Sequence, residues 1–205
     1  MTAKEKILRA ADKLFGEAGF DATTTREIAE LSGVNKALIH YHFKSKEALL
    51  EHLLDAYYED LTNTLRNCLS ADGSLRDNLL LLLDAYLDFL VTNRNFSRIV
   101  QREAAGGKMM ERVLANMTPI LEMGQAHLKQ TYPSTQGGAM AAEHLLVSFY
   151  GMIVSYFTYS GVIEHLLSSD PMSPANVKMR KRHLRTMAAI ILAAVEAQED
   201  KQSAG

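Results

Sequence analysis

The chain has 205 residues, 47% hydrophobic and 22% charged, with a formal net charge of −2. That is enough for one large domain or two small ones of ordinary globular composition, and the single cysteine, Cys68, excludes an internal disulfide and fits a reducing cytoplasm. The polar start Met1–Lys6 gives no secretory signal, and no 18-residue window is apolar enough for a membrane span, so no membrane partner and a cytoplasmic location are expected.

Strand signals are scarce and only four prolines interrupt helical patterns, so the fold class is all-α, with about nine helices. The first runs from Thr2 to Ala18. It carries Ile7, Ala10, Ala11, Leu14 and Phe15 on one face and ends before Gly19. Thr24 with Glu27 forms a capping box for a short second helix to Leu31. Ser32-Gly33-Val34 is a tight turn in which Gly33 takes a positive φ. A third helix covers Lys36 to His42, and a fourth continues from Ser45 to Leu69 as a rod of about 36 Å. A loop at Ser70–Gly73 precedes helices over Leu75–Thr92 and Phe96–Ala105. After Gly106-Gly107, an expected hinge, the seventh helix spans Lys108–Thr131 and is kinked at Pro119 or restarts there with Thr118 as cap. An eighth, apolar nearly all round, spans Ala139–Leu167, and a ninth Ala175–Gln198, leaving a disordered tail over 199–205. The expected organisation is an N-terminal three-helix domain over 1–47 and a larger C-terminal helical domain over 48–205, with the fourth helix as the connecting rod.

The net charge argues against bulk nucleic-acid binding, but its distribution does not. Residues 1–50 hold eight Lys/Arg against seven Asp/Glu, and Gly33–Lys46 carries Lys36, Lys44 and Lys46 with no acid, beside His40 and His42. Such a local basic face suits phosphate positioning. Between Thr25 and Phe43, Ala29 permits two short helices to approach, Gly33 permits the turn, and Ile28, Val34 and Ile39 fill the space between them. That spacing fits a DNA-reading helix-turn-helix or an ordinary αα-hairpin about equally well.

Three motifs decide between these readings. Thr24-Thr25-Arg26-Glu27-Ile28-Ala29, the run from Lys36 through His40-Tyr41-His42-Phe43 to Glu47, and the opening helix resemble the TetR family of bacterial transcriptional regulators over about residues 4–54. The resemblance implies a DNA-binding repressor rather than an enzyme. It also implies that residues 1–47 bind a double-stranded palindromic operator and that residues 48–205 form a homodimer and bind a small-molecule effector that releases it, an effector expected to be hydrophobic or aromatic because the candidate cavity residues are mostly apolar. By position it implies a phosphate contact at Thr25, base-edge contacts at Lys36 and Ala37, and phosphate contacts at Tyr41, His42 and Lys46. Arg26, Asn35, His40 and Lys44 complete the expected DNA-binding set, while Phe43 is assigned to the core. Where the family often has Gly or Ser, this chain has Ala37, and where it often has a second aromatic, His40. His40 and His42 lie two residues apart, a spacing that points them to different faces, so no metal is expected, and no cofactor.

In the remainder, Leu184, Met187, Ala188, Ile191 and Val195 form a stripe on the ninth helix, and Ser148, Gly151 and Ser155 a small-residue row on the eighth. These faces either close the chain's own core or, as the resemblance implies, form a four-helix dimer interface. The basic run Lys178–Arg182 is a solvated face or pairs with acids. The resemblance also implies an effector cavity. Its candidate lining is Tyr86, Phe89, Leu90, Phe96, Val100, Glu103, Val113, Met117, Leu121, Phe149, Met152 and Tyr156. Glu103 is expected to pair with a cationic group or with Arg102 or Arg98. No nucleophile elbow, phosphate loop or metal-ligand spacing supports an enzyme.

Overall fold

The computed structural model describes residues 1–69, 72–104 and 109–203. Among the described residues there are ten α-helices, one short 3-10 turn and no strand. They are α1 (Ala3–Glu17), α2 (Thr25–Ser32), α3 (Lys36–Phe43), α4 (Lys46–Leu69), α5 (Leu75–Thr92), α6 (Arg94–Ala104), α7 (Met110–Thr131), α8 (Ala142–Thr158), α9 (Ser160–Leu167) and α10 (Pro174–Ser203). The hinge proposed at Gly106-Gly107 lies outside the described residues, as do Ser70-Ala71 of the loop after α4.

Two compact units divide the chain: Met1–Asp60 with Asn93–Met117, and Leu61–Thr92 with Thr118–Gly205. In the first, α1 packs on α2, α3 and α6. The apolar face read from the sequence is the buried one, with Ile7, Ala10, Ala11 and Phe15 inside. Thr2 and Glu5 add a capping box to α1. In the second unit, α10 packs along α5 and the 3-10 turn at Pro133–Gln136, and α8 meets α9. A cluster of Leu128, Ala142, Leu145 and Val195 anchors that packing.

Helix α7 passes through Pro119 without restarting, one of the two courses expected there, while two other helix boundaries differ from the sequence expectation. The apolar run over 139–167 is two helices, α8 and α9, bent by 79°. Tyr159 sits at the break with ψ 30, followed by Ser160-Gly161, which hold helix weakly. Continuous apolarity hides such a break, because no change of period marks it. Second, α10 is helical through Ser203 instead of ending at Gln198. The cause is tertiary: Tyr132 donates to Glu196 at 3.2 Å and the Ser134 amide to Glu199 at 2.7 Å, pinning the last turns. No single helix among the described residues is long and apolar enough to cross a membrane.

Candidate nucleic-acid interface

The candidate interface is assembled from two short helices whose ends the sequence specifies. Thr24 caps α2, its hydroxyl accepting from the Glu27 amide at 3.2 Å while Glu27 accepts from the Thr24 amide at 2.7 Å. Gly33 closes α2 at φ 66, the left-handed conformation that glycine adopts without steric cost. Asn35 then caps α3, its side-chain oxygen accepting from the Ala37 amide at 2.9 Å. Inside the angle lie Ile28, Ala29 and Ile39, all buried, with Val34 half-buried. Phe43 is buried at the end of α3, with its ring 5.6 Å from that of His52.

Everything else on α3 faces out. Lys36, Ala37, His40, Tyr41 and His42 are exposed, Tyr41 to 71%. The Tyr41 and His42 rings meet edge-on at 5.1 Å. A groove of about 460 Å³ runs past the start of α2, lined by Thr25, Lys36, Ala37, Ile39, His40, Lys44 and Ser45. The structure therefore brings six of the expected DNA-binding residues to or beside one groove: Thr25, Lys36, Ala37, His40 and Lys44 on its walls, and Asn35 at its helix cap. Arg26 is exposed nearby and pairs with Glu30 at 2.9 Å. Ser45, absent from the sequence-derived set, lines the groove and caps α4 by accepting from the Ala48 amide at 3.0 Å. Its cap pattern, a serine three residues ahead of Ala48, was the available signal.

Lys46 sits differently. It is half-buried, and its ammonium donates to the carbonyls of Phe20 at 2.8 Å and Thr23 at 2.7 Å. It also lies 4.3 Å from the centroid of the Phe20 ring.

The expected cavity residues fall in both units. In the first, Phe96, Val100 and Val113 are buried and Met117 is half-buried. Phe96 packs its ring 5.1 Å from Tyr57 and 5.2 Å from Tyr58. Glu103 is 5% exposed and accepts from the Met109 amide at 2.9 Å, ahead of α7. The Arg102 pairing does not form, because Arg102 donates instead to the carbonyls of Phe15 at 3.2 Å and Glu17 at 3.4 Å. In the second unit, Phe89, Leu90 and Tyr156 are buried, Tyr86, Phe149 and Met152 half-buried, and Leu121 exposed. A small apolar cavity of about 70 Å³ lies among leucines of α4, α5, α7, α8 and α10, with His127 at its wall. Of the expected residues only Phe149 lines it. Tyr156 donates to the Pro171 carbonyl at 2.8 Å under the Arg180 guanidinium, which in turn donates to the Met152 carbonyl. Burial pushes the Tyr156 phenol up.

The expected interface stripe on α10 is corrected. Leu184, Ala188 and Val195 are 1% exposed or less and lie inside their own chain, so they have no surface to offer a partner. Met187 and Ile191 are half-buried. The exposed row of α10 is instead Met179, His183, Thr186, Ile190, Ala193 and Ala197. On α8, Ser148 and Gly151 are exposed as expected, beside Val147 at 71%, while Ser155 is half-buried. Of the basic run, Lys181 pairs with Asp88 of α5 at 2.6 Å, and Lys178 and Arg182 are exposed. No cluster of His, Cys, Asp or Glu suited to a metal occurs among the described residues.

Residues 7–53 match the profile described as "Bacterial regulatory proteins, tetR family". An HTH-type transcriptional regulator of Bacillus subtilis, YvkB, is 32% identical over 161 residues, covering 76% of this chain and 81% of that protein. A class A tetracycline repressor from Escherichia coli is 30% identical over 158 residues, 77% of this chain and 64% of that protein. Among solved structures, a Clostridium perfringens protein described as a putative fatty acid metabolism regulator superposes with a TM-score of 0.75 at 22% identity. That match covers 89% of this chain and 96% of that one.

Proposed function

The chain belongs to the TetR family of bacterial transcriptional regulators, and from that premise we propose that it is a cytoplasmic homodimeric repressor released from a palindromic operator by a small hydrophobic or aromatic effector. The observation that carries DNA recognition is the outward face of α3 beside the Thr25 groove, with two lysines and three large polar side chains exposed around a buried Ile39–Phe43 spine. In this reading Lys36 and Ala37 meet base edges, Ala37 through a thymine methyl. Thr25, Tyr41, His42 and Lys44 hold phosphates, with His40 on the groove wall. A relative that is itself named a repressor supports the direction of regulation.

Dimerisation is supported by the exposed rows on α8 and α10. Both repeat every three to four residues, and on α8 the row includes Gly151, whose added Cβ would meet nothing within 4 Å. Two such pairs form a four-helix interface and set two recognition helices about one DNA turn, roughly 34–36 Å, apart. The effector acts only through a difference in its affinity for the operator-competent and incompetent states.

The test is a mobility-shift titration of the full-length protein on DNA flanking its own gene, across a salt series. Wild type should bind one site with a steep loss of affinity as salt rises. Lys36→Ala combined with Tyr41→Ala should weaken that binding by about tenfold or more. Undiminished binding by the double variant would overturn the site assignment. An affinity that no tightly bound hydrophobic compound alters would overturn release by effector.

A further inference from the structure

Lys46 stands apart from the other cations of the recognition unit. It occupies the first position of α4, where the positive end of the helix disfavours a cation. Its neighbours explain how it is held. The ammonium has three hydrogens, and two point at the Phe20 and Thr23 carbonyls, 2.8 and 2.7 Å away. The Phe20 ring lies under it at 4.3 Å, and that ring is itself buried against Phe15 at 5.5 Å. The Thr23 side chain is buried too, its hydroxyl donating to the Gly19 carbonyl at 2.8 Å. Apart from the Phe15 ring of α1, these groups belong to residues 19–23, the corner between α1 and α2. The next two residues are Thr24, the cap of α2, and Thr25, the wall of the groove.

We infer that Lys46 is a positioning residue for operator binding: it ties the first turn of α4 to the α1–α2 corner and thereby fixes where the start of α2 meets DNA. Its charge is satisfied inside the protein. A phosphate contact would have to use the single remaining hydrogen or break one of the two carbonyl bonds. Through this tie a displacement of the first turn of α4 is passed to Thr24 and Thr25 by two charge-assisted hydrogen bonds.

The inference rests on the DNA-binding reading, and its test separates the two. Full-length Lys46→Met keeps the apolar stem and removes the donors. Lys46→Arg keeps the charge and the donors. Operator affinity is measured against potassium chloride, with Lys36→Met as a reference, and amide hydrogen exchange over residues 19–27 is measured without DNA. Expected for Lys46→Met is an affinity lower by roughly tenfold at every salt concentration, an unchanged slope of log affinity against log salt, and faster exchange in the corner. Lys46→Arg should recover most of the affinity. Lys36→Met should instead leave exchange in the corner at the wild-type rate. A slope shallower by about one per protomer, with corner exchange unchanged, would show that Lys46 holds a phosphate and overturn the inference. Unaltered affinity would overturn it equally. Should Lys46→Met not fold, Lys46→Gln, which can still donate to one carbonyl, is read by the same criteria. If wild type binds no operator, the functional reading fails, while the exchange data still report whether Lys46 holds the corner.

Discussion

Lys44 sits between α3 and α4 at φ 68 and ψ −50, and the Ser45 amide donates across it to the Phe43 carbonyl at 2.8 Å. This is a γ-turn with a positive φ, strained for a side chain with a Cβ. Lys44→Gly should therefore raise the melting temperature of the free protein, by an amount corresponding to about 1 kcal/mol. The same variant should lose operator affinity and reduce the salt slope by about one per protomer, because the groove loses a cation. Calorimetry and a salt titration check the two halves separately. Glu27 offers a pH test. The Thr24 amide, then its hydroxyl, hold this carboxyl below its ordinary value of 4.5, with the Lys46 charge adding to them. A depressed folded pKa means that the stability is present above the ordinary value and is lost as pH falls through the folded one. Stability of wild type should fall more steeply below pH 4.5 than that of Glu27→Gln, as read by urea unfolding at a series of pH values. The capping residues were legible in the sequence, because caps are local. The occupation of Lys46 was not, because its partners lie 23 and 26 residues away.

At the scale of helices, α6 is fastened to α1 at both ends. Asn95 donates to Asp12 at 2.8 Å, and Tyr57 of α4 donates to the other oxygen of the same carboxylate at 2.5 Å. Burial first, and then Asp12, push the Tyr57 phenol far above its ordinary value. Two turns along α6, Arg102 covers the last carbonyls of α1, where a cation is favourable. Gly16 makes the approach possible: a Cβ there would sit 2.5 Å from the Asn95 side-chain oxygen and 2.7 Å from its Cβ. Gly16→Ala should consequently destabilise the protein by about 1–3 kcal/mol despite its better helix propensity, and Asn95→Gly in the same chain should recover part of the loss. Equal unfolding midpoints for wild type and Gly16→Ala would refute the close packing. The apolar face of α1 is readable at helical period, but its neighbour α6 is not, since periodicity names a buried face without naming what covers it.

At the scale of the whole molecule the exposed rows on α8 and α10 make assembly testable. Gly151→Arg has open space in the single chain, so its melting should stay close to that of wild type, while size-exclusion chromatography with light scattering should show a shift from dimer to monomer. Operator affinity should fall with it, because two linked half-sites are read more tightly than one. A dimer that survives Gly151→Arg would remove α8 from the interface. Sequence alone determined the all-helical class, the caps of α2, the Gly33 turn and the inward turn of Phe43. These depend on hydrogen bonds and apolar spacing within a few residues, where type and order suffice. Tertiary structure decided the break between α8 and α9, the length of α10, the burial of Leu184, Ala188 and Val195, and the inward turn of Lys46. Each of these is set by groups far apart in the chain, and an apolar or charged side chain carries no record of which distant surface will satisfy it.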